Sequence, residues 1–371
     1  MRAALASLLA AVLLLPLAAA APGADGFALP QAGHAFDFPR DHGSHPDFRL
    51  EWWYVTGHLW AADGRRFGFQ ATFFRSAGPR RVGGAGAHPD FGTDQLFLAH
   101  VAILDVQTGT FRHQERLNRE GWDASADPAR LAVTNGPWSL RMDAGAAQEM
   151  RLVAGVRSEA ALTLDLRPTQ PLVVFGRDGV SRKGASPTAA SYYLTFPRLG
   201  ATGQLQLGTE TFAVHGEAWM DHEISSSQLD PQQVGWDWTC IQLKDGENLM
   251  CYRMRRADGT PDPYSTLAWV DRDGRVTQVP ASGFRWEVLS TWHSPATGAD
   301  YPVRVRLTAT RPGDPTPTSF ILEPLARDQE LTGDVGGIPY WEGACRVRDG
   351  RGGEAGSAFL ELTGYARPLR L

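Results

Sequence analysis

From about residue 48 onward, apolar and polar positions alternate with a period of two. Phe67, Phe69, Ala71 and Phe73 interleave with Gly68, Gln70 and Thr72, the pattern of a strand with one face against a core. Residues 96–104 form an apolar run broken only by His100, which reads as a strand buried on both faces. Residues 162–166, 192–196 and 205–207 add shorter strands. Turn dipeptides recur between them: Asp63-Gly64, Thr108-Gly109, Asn135-Gly136, Asp178-Gly179, Asp258-Gly259, Asp273-Gly274 and Asp349-Gly350. Short strands separated by such turns predict an all-β barrel or sandwich architecture. Long 3.6-residue periodicity is missing; the best helix candidate, residues 144–152, reads equally well as a turn and a strand.

Three of these strands carry candidate chemistry. In Gly216-Glu217-Ala218-Trp219-Met220-Asp221-His222-Glu223, alternation puts Glu217, Trp219, Asp221 and Glu223 on one face and His222 on the other. Burial of that acidic face pushes a carboxyl toward its neutral, proton-donating form. His222 can join Asp221 and Glu223 in one cavity only through a bulge, which Ser225-Ser226-Ser227 at the strand end permits. In the stretch from Glu51 to Trp60, the set Trp52, Tyr54, Thr56, His58 and Trp60 mixes aromatic and polar tips, as a ligand-lining face does. Glu51, Trp53, Val55, Gly57 and Leu59 look like packing, and a plain amphipathic strand shows the same split. Gly235-Trp236-Asp237-Trp238 opens the second half of the chain in a similar style.

The first residues stand apart from this pattern. Met1-Arg2, an apolar run over residues 3–15 and Ala18-Ala19-Ala20 read as a secretory signal peptide over residues 1–20. An N-terminal arm follows over residues 21–48. The break at Leu229-Asp230-Pro231 places the domain boundary between a first unit, residues 49–229, and a second, residues 230–371. Each is large enough for a lipocalin-type barrel holding one apolar ligand. No later run reaches the roughly 18 apolar residues of a membrane span, so the expected location is periplasmic or secreted. The Gly-rich stretch 83–92 is a loop that can cover a barrel mouth.

Composition narrows the function classes. The net charge is −5 and no basic stripe appears, so nucleic acid is not an expected partner. Lys183 and Lys244 are the only lysines, and the twelve tryptophans fit either large β cores or an aromatic-lined pocket. Of the three cysteines, Cys240 and Cys251 flank Asp245-Gly246 symmetrically. A hairpin centred there sets them opposite each other as a candidate disulfide, with Cys345 left as a buried thiol. There is no Gly-x-Ser-x-Gly elbow, and His222-Glu223 lacks the second histidine of a zinc-protease motif. His34, Asp41, His42 and His45 cluster in the arm; a solvated arm is the simpler expectation than a metal site, and no metal or cofactor is expected. The spacing of Asp221 and Glu223 also fits a carboxylate pair for glycoside hydrolysis, against which stands simple pairing with arginines.

Several motifs together resemble one family. Residues 51–59, Ala190-Ser191-Tyr192-Tyr193, residues 216–227, Gly235-Trp236-Asp237-Trp238, Asp328-Gln329-Glu330-Leu331, Tyr340-Trp341-Glu342-Gly343 and residues 360–365 are similar, in order, to the AttH and carotenoid 1,2-hydratase (CrtC) group, often labelled predicted secreted hydrolases. The resemblance runs from about Asp41 to the C-terminus, with Ile224 standing where many relatives carry an aromatic. It implies two packed lipocalin-like β-barrels and apolar, polyene-like ligands. Carotenoid hydratases add water to a terminal isoprenoid double bond without a cofactor, and related fungal proteins assist cyclisation of bound polyenes. On this footing Asp221, ahead of Glu223, is the expected proton donor. Trp219 and Trp52 or Trp53 stabilise a carbocation, and His222 or Tyr54 positions water. His58, Trp236 and Trp238 complete the expected ligand contacts. The alternative is a carrier that delivers a lipid or isoprenoid to an ABC-type membrane export system, with a carbohydrate-active enzyme a distant third.

Overall fold

A computed structural model of the protein describes residues 25–78, 95–121, 123–143, 145, 148–333, 335 and 337–369. The expected signal peptide and the Gly-rich loop 83–92 lie outside the described residues. The first half folds into thirteen strands: β1 (Leu50–Ala61), β2 (Arg66–Ala77), β3 (Gln95–Asp105), β4 (Thr110–Arg119), β5 (Ala124–Ala126), β6 (Ala132–Asn135), β7 (Trp138–Met142), β8 (Met150–Val156), β9 (Ala160–Pro168), β10 (Val173–Phe175), β11 (Ser181–Arg182), β12 (Ala190–Leu207) and β13 (Glu210–Ser227). They form one sheet ordered β4-β3-β2-β1-β13-β12-β9-β8-β7-β6-β5, with β10 and β11 also on β12. The long β13 returns antiparallel to β1, curling the sheet into a nearly closed barrel.

The second half adds β14 (Gln233–Leu243), β15 (Asn248–Arg256), β16 (Thr266–Val270), β17 (Val276–Pro280), β18 (Phe284–His293), β19 (Asp300–Thr310), β20 (Pro317–Pro324), β21 (Glu330–Leu331), β22 (Tyr340–Asp349) and β23 (Glu354–Thr363). Its ten-stranded sheet runs β17-β16-β15-β14-β23-β22-β20-β19-β18, with β21 on β22, and forms a half-barrel. The protein is thus two packed β-barrel units. The ambiguous residues 144–152 carry no helix among those described; Met150 begins β8.

Alternation sorts the apolar side chains into three layers. Trp53, Val55, Leu59, Phe67, Phe69 and Phe73 fill the first barrel, while Ile241, Leu249, Leu267, Tyr301, Trp341 and Leu360 fill the second. The opposite faces of the same strands meet each other. Tyr54, Tyr193, Trp219, Trp238, Tyr252 and Phe359 pack in a layer between the two sheets, so the strands nearest the contact are buried on both sides. Gly68 lets the sheets approach: a Cβ there would lie 2.7 Å from the Ala344 Cβ.

Two sequence expectations are corrected here. Cys240 and Cys251 are free and buried, not a disulfide. The hairpin closes with Leu243 N–H bonding the Glu247 carbonyl and Gly246 N–H bonding the Leu243 carbonyl, leaving a three-residue loop whose Gly246 takes φ +89°. That odd loop pairs Cys240 with Met250 and Thr239 with Cys251. The two thiols therefore point to opposite faces of the sheet, Cys240 into the shared layer and Cys251 into the second barrel. Titrating the unfolded, unreduced protein with a thiol reagent is expected to find three thiols per chain; finding one would restore the disulfide.

The arm is the second correction. Asp41, His42 and His45 are buried rather than solvated. The arm closes one end of the first barrel, where His45 Nε2 meets Asp41 Oδ1 at 3.1 Å and His45 Nδ1 meets Glu51 Oε1 at 2.8 Å. The polar residues of the arm serve that buried network, and only His34 among the four keeps substantial exposure.

Candidate functional site

Pairing registers define the floor and roof of the space between the sheets. On the first sheet one cross-strand row reads Thr195, Asp221, Tyr54, Thr72, His100 and Glu115. The next row toward solvent reads Tyr193, Glu223, Trp52, Phe74, Leu98 and Leu117. On the facing sheet Tyr252, Trp238, Glu361 and Glu342 stand in register. Between these rows lies a cavity of about 430 Å³, within the range of sites that take a small ligand. Its walls are largely apolar and aromatic. Leu96 and Leu117, 39% and 45% exposed, line it on the open side together with Leu98 and Ile338.

The three acids of β13 have different environments. Glu217 pairs with Arg198 at 2.6 Å outside the cavity. Glu223 pairs with Lys183 and accepts a hydrogen bond from Ser191, while the Lys183 ammonium lies 4.6 Å from the centre of the Tyr193 ring. Asp221 has only neutral partners. Its Oδ1 accepts from Thr195 Oγ1 at 2.6 Å and Trp219 Nε1 at 2.7 Å, and its Oδ2 from Tyr193 Oη at 2.8 Å. Burial pushes the Asp221 carboxyl up to about 7 and the Glu223 charge adds to this, against the pull of the three donors.

The roof carries a second acidic feature. Glu342 and Glu361 stand directly opposite each other on β22 and β23 and both line the cavity. Glu342 is buried, and the accessible part of Glu361 faces the cavity. Burial, then the neighbouring Glu361 charge, hold the Glu342 carboxyl well above the usual range. Burial and the Glu223 charge raise Glu361 to about 7, while the Trp236 hydrogen bond and the Lys183 charge pull it down. Tyr54 crosses from the floor to donate a short hydrogen bond to Glu342 Oε1, and Gln70 Nε2 donates to Glu342 Oε2 at 3.2 Å. Tyr340 Oη contacts His100 Nδ1 at 2.9 Å. Burial drops the His100 imidazole to about 3, so it is neutral.

The residues singled out from sequence separate cleanly. Tyr54, Trp52, Asp221, Glu223, Trp236 and Trp238 line the cavity. Trp219 sits behind it, buttressing Asp221 through its indole N–H. Trp53, His58 and His222 do not reach it. Trp53 packs inside the first barrel, stacked on His222 with ring centres 4.9 Å apart. His58 is buried between the sheets away from the cavity, accepting from Arg66 at Nδ1 (3.0 Å) and therefore donating from Nε2 to the Ala358 carbonyl (3.0 Å). No register shift occurs along β13 at Asp221–Glu223, so alternation carries His222 inward, where Nε2 lies 2.9 Å from Glu51 Oε1. Ile224 is also buried, packed under the arm against Phe48 and Tyr192.

Sequence reasoning missed Glu342, Glu361, Tyr193, Lys183 and His100. A signal existed for the first two. Glu342 and Glu361 are charged positions inside otherwise apolar strands, beside Trp341 and between Leu360 and Leu362, and a charge in a strand buried on both faces needs a polar facing surface.

His45, Glu51 and His222 also each bring one ligating atom within 4.8 Å of the others, a donor set of the type that holds cations. Here it is saturated by protons and an arginine. Glu51 Oε1 engages both imidazoles, and Oε2 accepts from Arg75 Nε and the His45 backbone N–H, each at 2.9 Å. Burial opposes the Glu51 charge, yet the His222 and His45 hydrogen bonds, with the His45 and Arg75 charges, hold the carboxyl well below its usual range.

The AttH-like family model matches residues 29–365. No curated protein matches. Among solved structures the chain is similar to an AttH protein from Nitrosomonas europaea, with 36% identity, a TM-score of 0.79 and coverage of 90% of this chain and 98% of that one. Kievitone hydratase from Nectria haematococca aligns with a TM-score of 0.66 at 13% identity over 94% and 98% of the two chains. CghA with Sch210972 aligns with a TM-score of 0.53 at 14% identity over 93% and 98%. These two more distant likenesses concern the fold.

Proposed function

This chain belongs to the AttH-like family, and from that premise we propose that it is an exported protein that holds an apolar, unsaturated ligand between its two β units and hydrates it by acid catalysis without a cofactor. The observation that carries this reading is Asp221: a carboxyl raised to about 7, lining an apolar cavity, with neutral partners only. An acid of that strength in a dry site can protonate an electron-rich alkene near neutral pH. The resulting carbocation meets the faces of Trp52, Trp238 and Tyr193, and Tyr54, opposite Asp221 in register, is placed to orient water. The fold shared with a kievitone hydratase agrees with hydration chemistry.

A carrier role is the second reading. The exposed Leu96 and Leu117 at the open side favour a ligand whose apolar chain crosses the mouth, as delivery to a membrane export system requires. Sugar chemistry fits the same walls poorly, since they are apolar and Glu223 is committed to Lys183.

The test uses farnesol, an acyclic isoprenoid with a terminal isopropylidene group, incubated with the protein in D2O. Wild type is expected to form the tertiary alcohol with deuterium on the adjacent carbon, and Asp221→Asn to lower that product by about 100-fold or more. Equal turnover by Asp221→Asn rules out the assigned acid. Native mass spectrometry of wild type that shows farnesol bound and unaltered, with no turnover, favours the carrier.

A further inference from the structure

Hydration needs two proton transfers, and Asp221 supplies one. The alkene takes a proton from Asp221, forming a C–H bond and leaving a carbocation. Water then forms the C–O bond and must lose a proton to a base. Asp221, newly ionised, lies on the floor of the cavity beside the carbon it protonated. Water adding from the opposite side of the ligand faces the roof, where the carboxylates in register are Glu361 and Glu342.

We infer that Glu361, paired with Glu342 across β22 and β23, is the base that receives the proton of the attacking water, so that the reaction site is made jointly by the two units. This rests on the hydration reading above. The geometry separates the two glutamates. Glu342 is buried, and its oxygens are taken by Tyr54 and Gln70. Glu361 keeps accessible surface on the cavity, with Trp236 Nε1 on Oε2 at 3.1 Å as its hydrogen-bond donor. Two carboxyls standing opposite each other in an apolar space cannot both carry charge, so the pair holds one proton and one negative charge. The Trp236 indole N–H favours the negative charge on Glu361, with the Lys183 charge offsetting part of the Glu223 charge there, while Glu342, buried and with no cation beside it, holds the proton. After one turnover Asp221 is ionised and Glu361 protonated; exchange with water entering past Leu96 and Leu117 restores both. Protons, bonds and charge balance with no further reactant.

Farnesol in D2O separates the two roles, because deuterium enters the substrate at the first step and the hydroxyl at the second. Wild type is expected to give both the alcohol and deuterium exchanged into recovered farnesol, through a cation that loses a proton and reverts. Asp221→Asn is expected to lose both. Glu361→Gln is expected to retain the exchange into recovered farnesol while the alcohol falls by about 100-fold or more, and Glu361→Asp to recover part of the alcohol. If Glu361→Gln does not fold, Glu361→Asp carries the comparison, with exchange retained and the alcohol reduced. Full alcohol formation by Glu361→Gln overturns the inference and leaves the hydration reading standing. Loss of exchange and alcohol together in Glu361→Gln also overturns it, since the residue is then needed before water adds. A wild type inert in both readouts overturns the hydration reading, and this inference with it.

Discussion

Glu361→Gln is expected to stabilise the folded protein at pH 8 and to change it little at pH 5. Glu361 titrates at about 7 in the fold against an ordinary 4.5, with burial as the largest cause. Between those values the folded state keeps a proton that the unfolded chain has released, so this residue's contribution is fully present below 4.5 and is lost as pH rises through 7. The interval corresponds to up to about 3 kcal/mol. Glutamine carries no charge into the cavity at any pH, so the variant escapes that loss. Urea unfolding midpoints of both proteins at pH 5 and pH 8 measure the effect without any substrate. A midpoint at pH 8 no higher than wild type would falsify the placement of a buried carboxylate on the roof.

Arg75→Met is expected to have the opposite sign and a larger size. Arg75 is 2% exposed and Glu51 0% exposed. The guanidinium binds Glu51 Oε2 through Nε at 2.9 Å, Gln95 through Nη1 at 2.7 Å, and the His45 and Phe48 carbonyls through Nη2 at 2.8 Å each. Methionine fills much of the volume but leaves Glu51 charged in the barrel interior without its arginine and removes the Arg75 donor from the His45 and Phe48 carbonyls, of which His45 keeps the Phe48 N–H. Breaking one side of a buried ion pair costs about 3–5 kcal/mol. The double variant Glu51→Gln/Arg75→Met removes both charges and is expected to lie closer to wild type than Arg75→Met alone. Urea midpoints of the four proteins form a double-mutant cycle, and additive losses would show that Arg75 acts by packing alone.

The two predictions fall on opposite faces of the same kind of strand. Glu51 and Tyr54 belong to β1 and differ by an odd number of residues, so one faces the barrel interior and the other the cavity. That division was legible in the amino-acid order. Alternation correctly grouped Trp52 with Tyr54 and Asp221 with Glu223, and set His222 and Trp53 apart from them. The strand content was readable for the same reason, since period-two patterning and turn residues are local properties, whereas the family and its two packed barrels came from the resemblance of several motifs in order.

The cysteines show where local reading stops. The hairpin at Asp245-Gly246 was evident, but its loop holds three residues, and one residue of register moves a side chain to the other face. The arm shows a second limit. Asp41, His42 and His45 look like loop residues by composition, yet they are buried, with His45 held by Glu51 and Arg75 from two strands.

By itself, then, the sequence determined which side chains share a strand face and that the faces belong to two β units of AttH-like type. It did not determine which face meets which. The cavity exists because the outer faces of β1–β3 and β13 pack on β14, β22 and β23, joining Tyr54 to Glu342 across 288 positions of chain. No local pattern encodes a contact at that separation, because register and face are set strand by strand while the docking of one sheet on another is set by the shape of both surfaces. That docking turned Asp221, Glu342 and Glu361 from acids on separate strands into one buried acidic site.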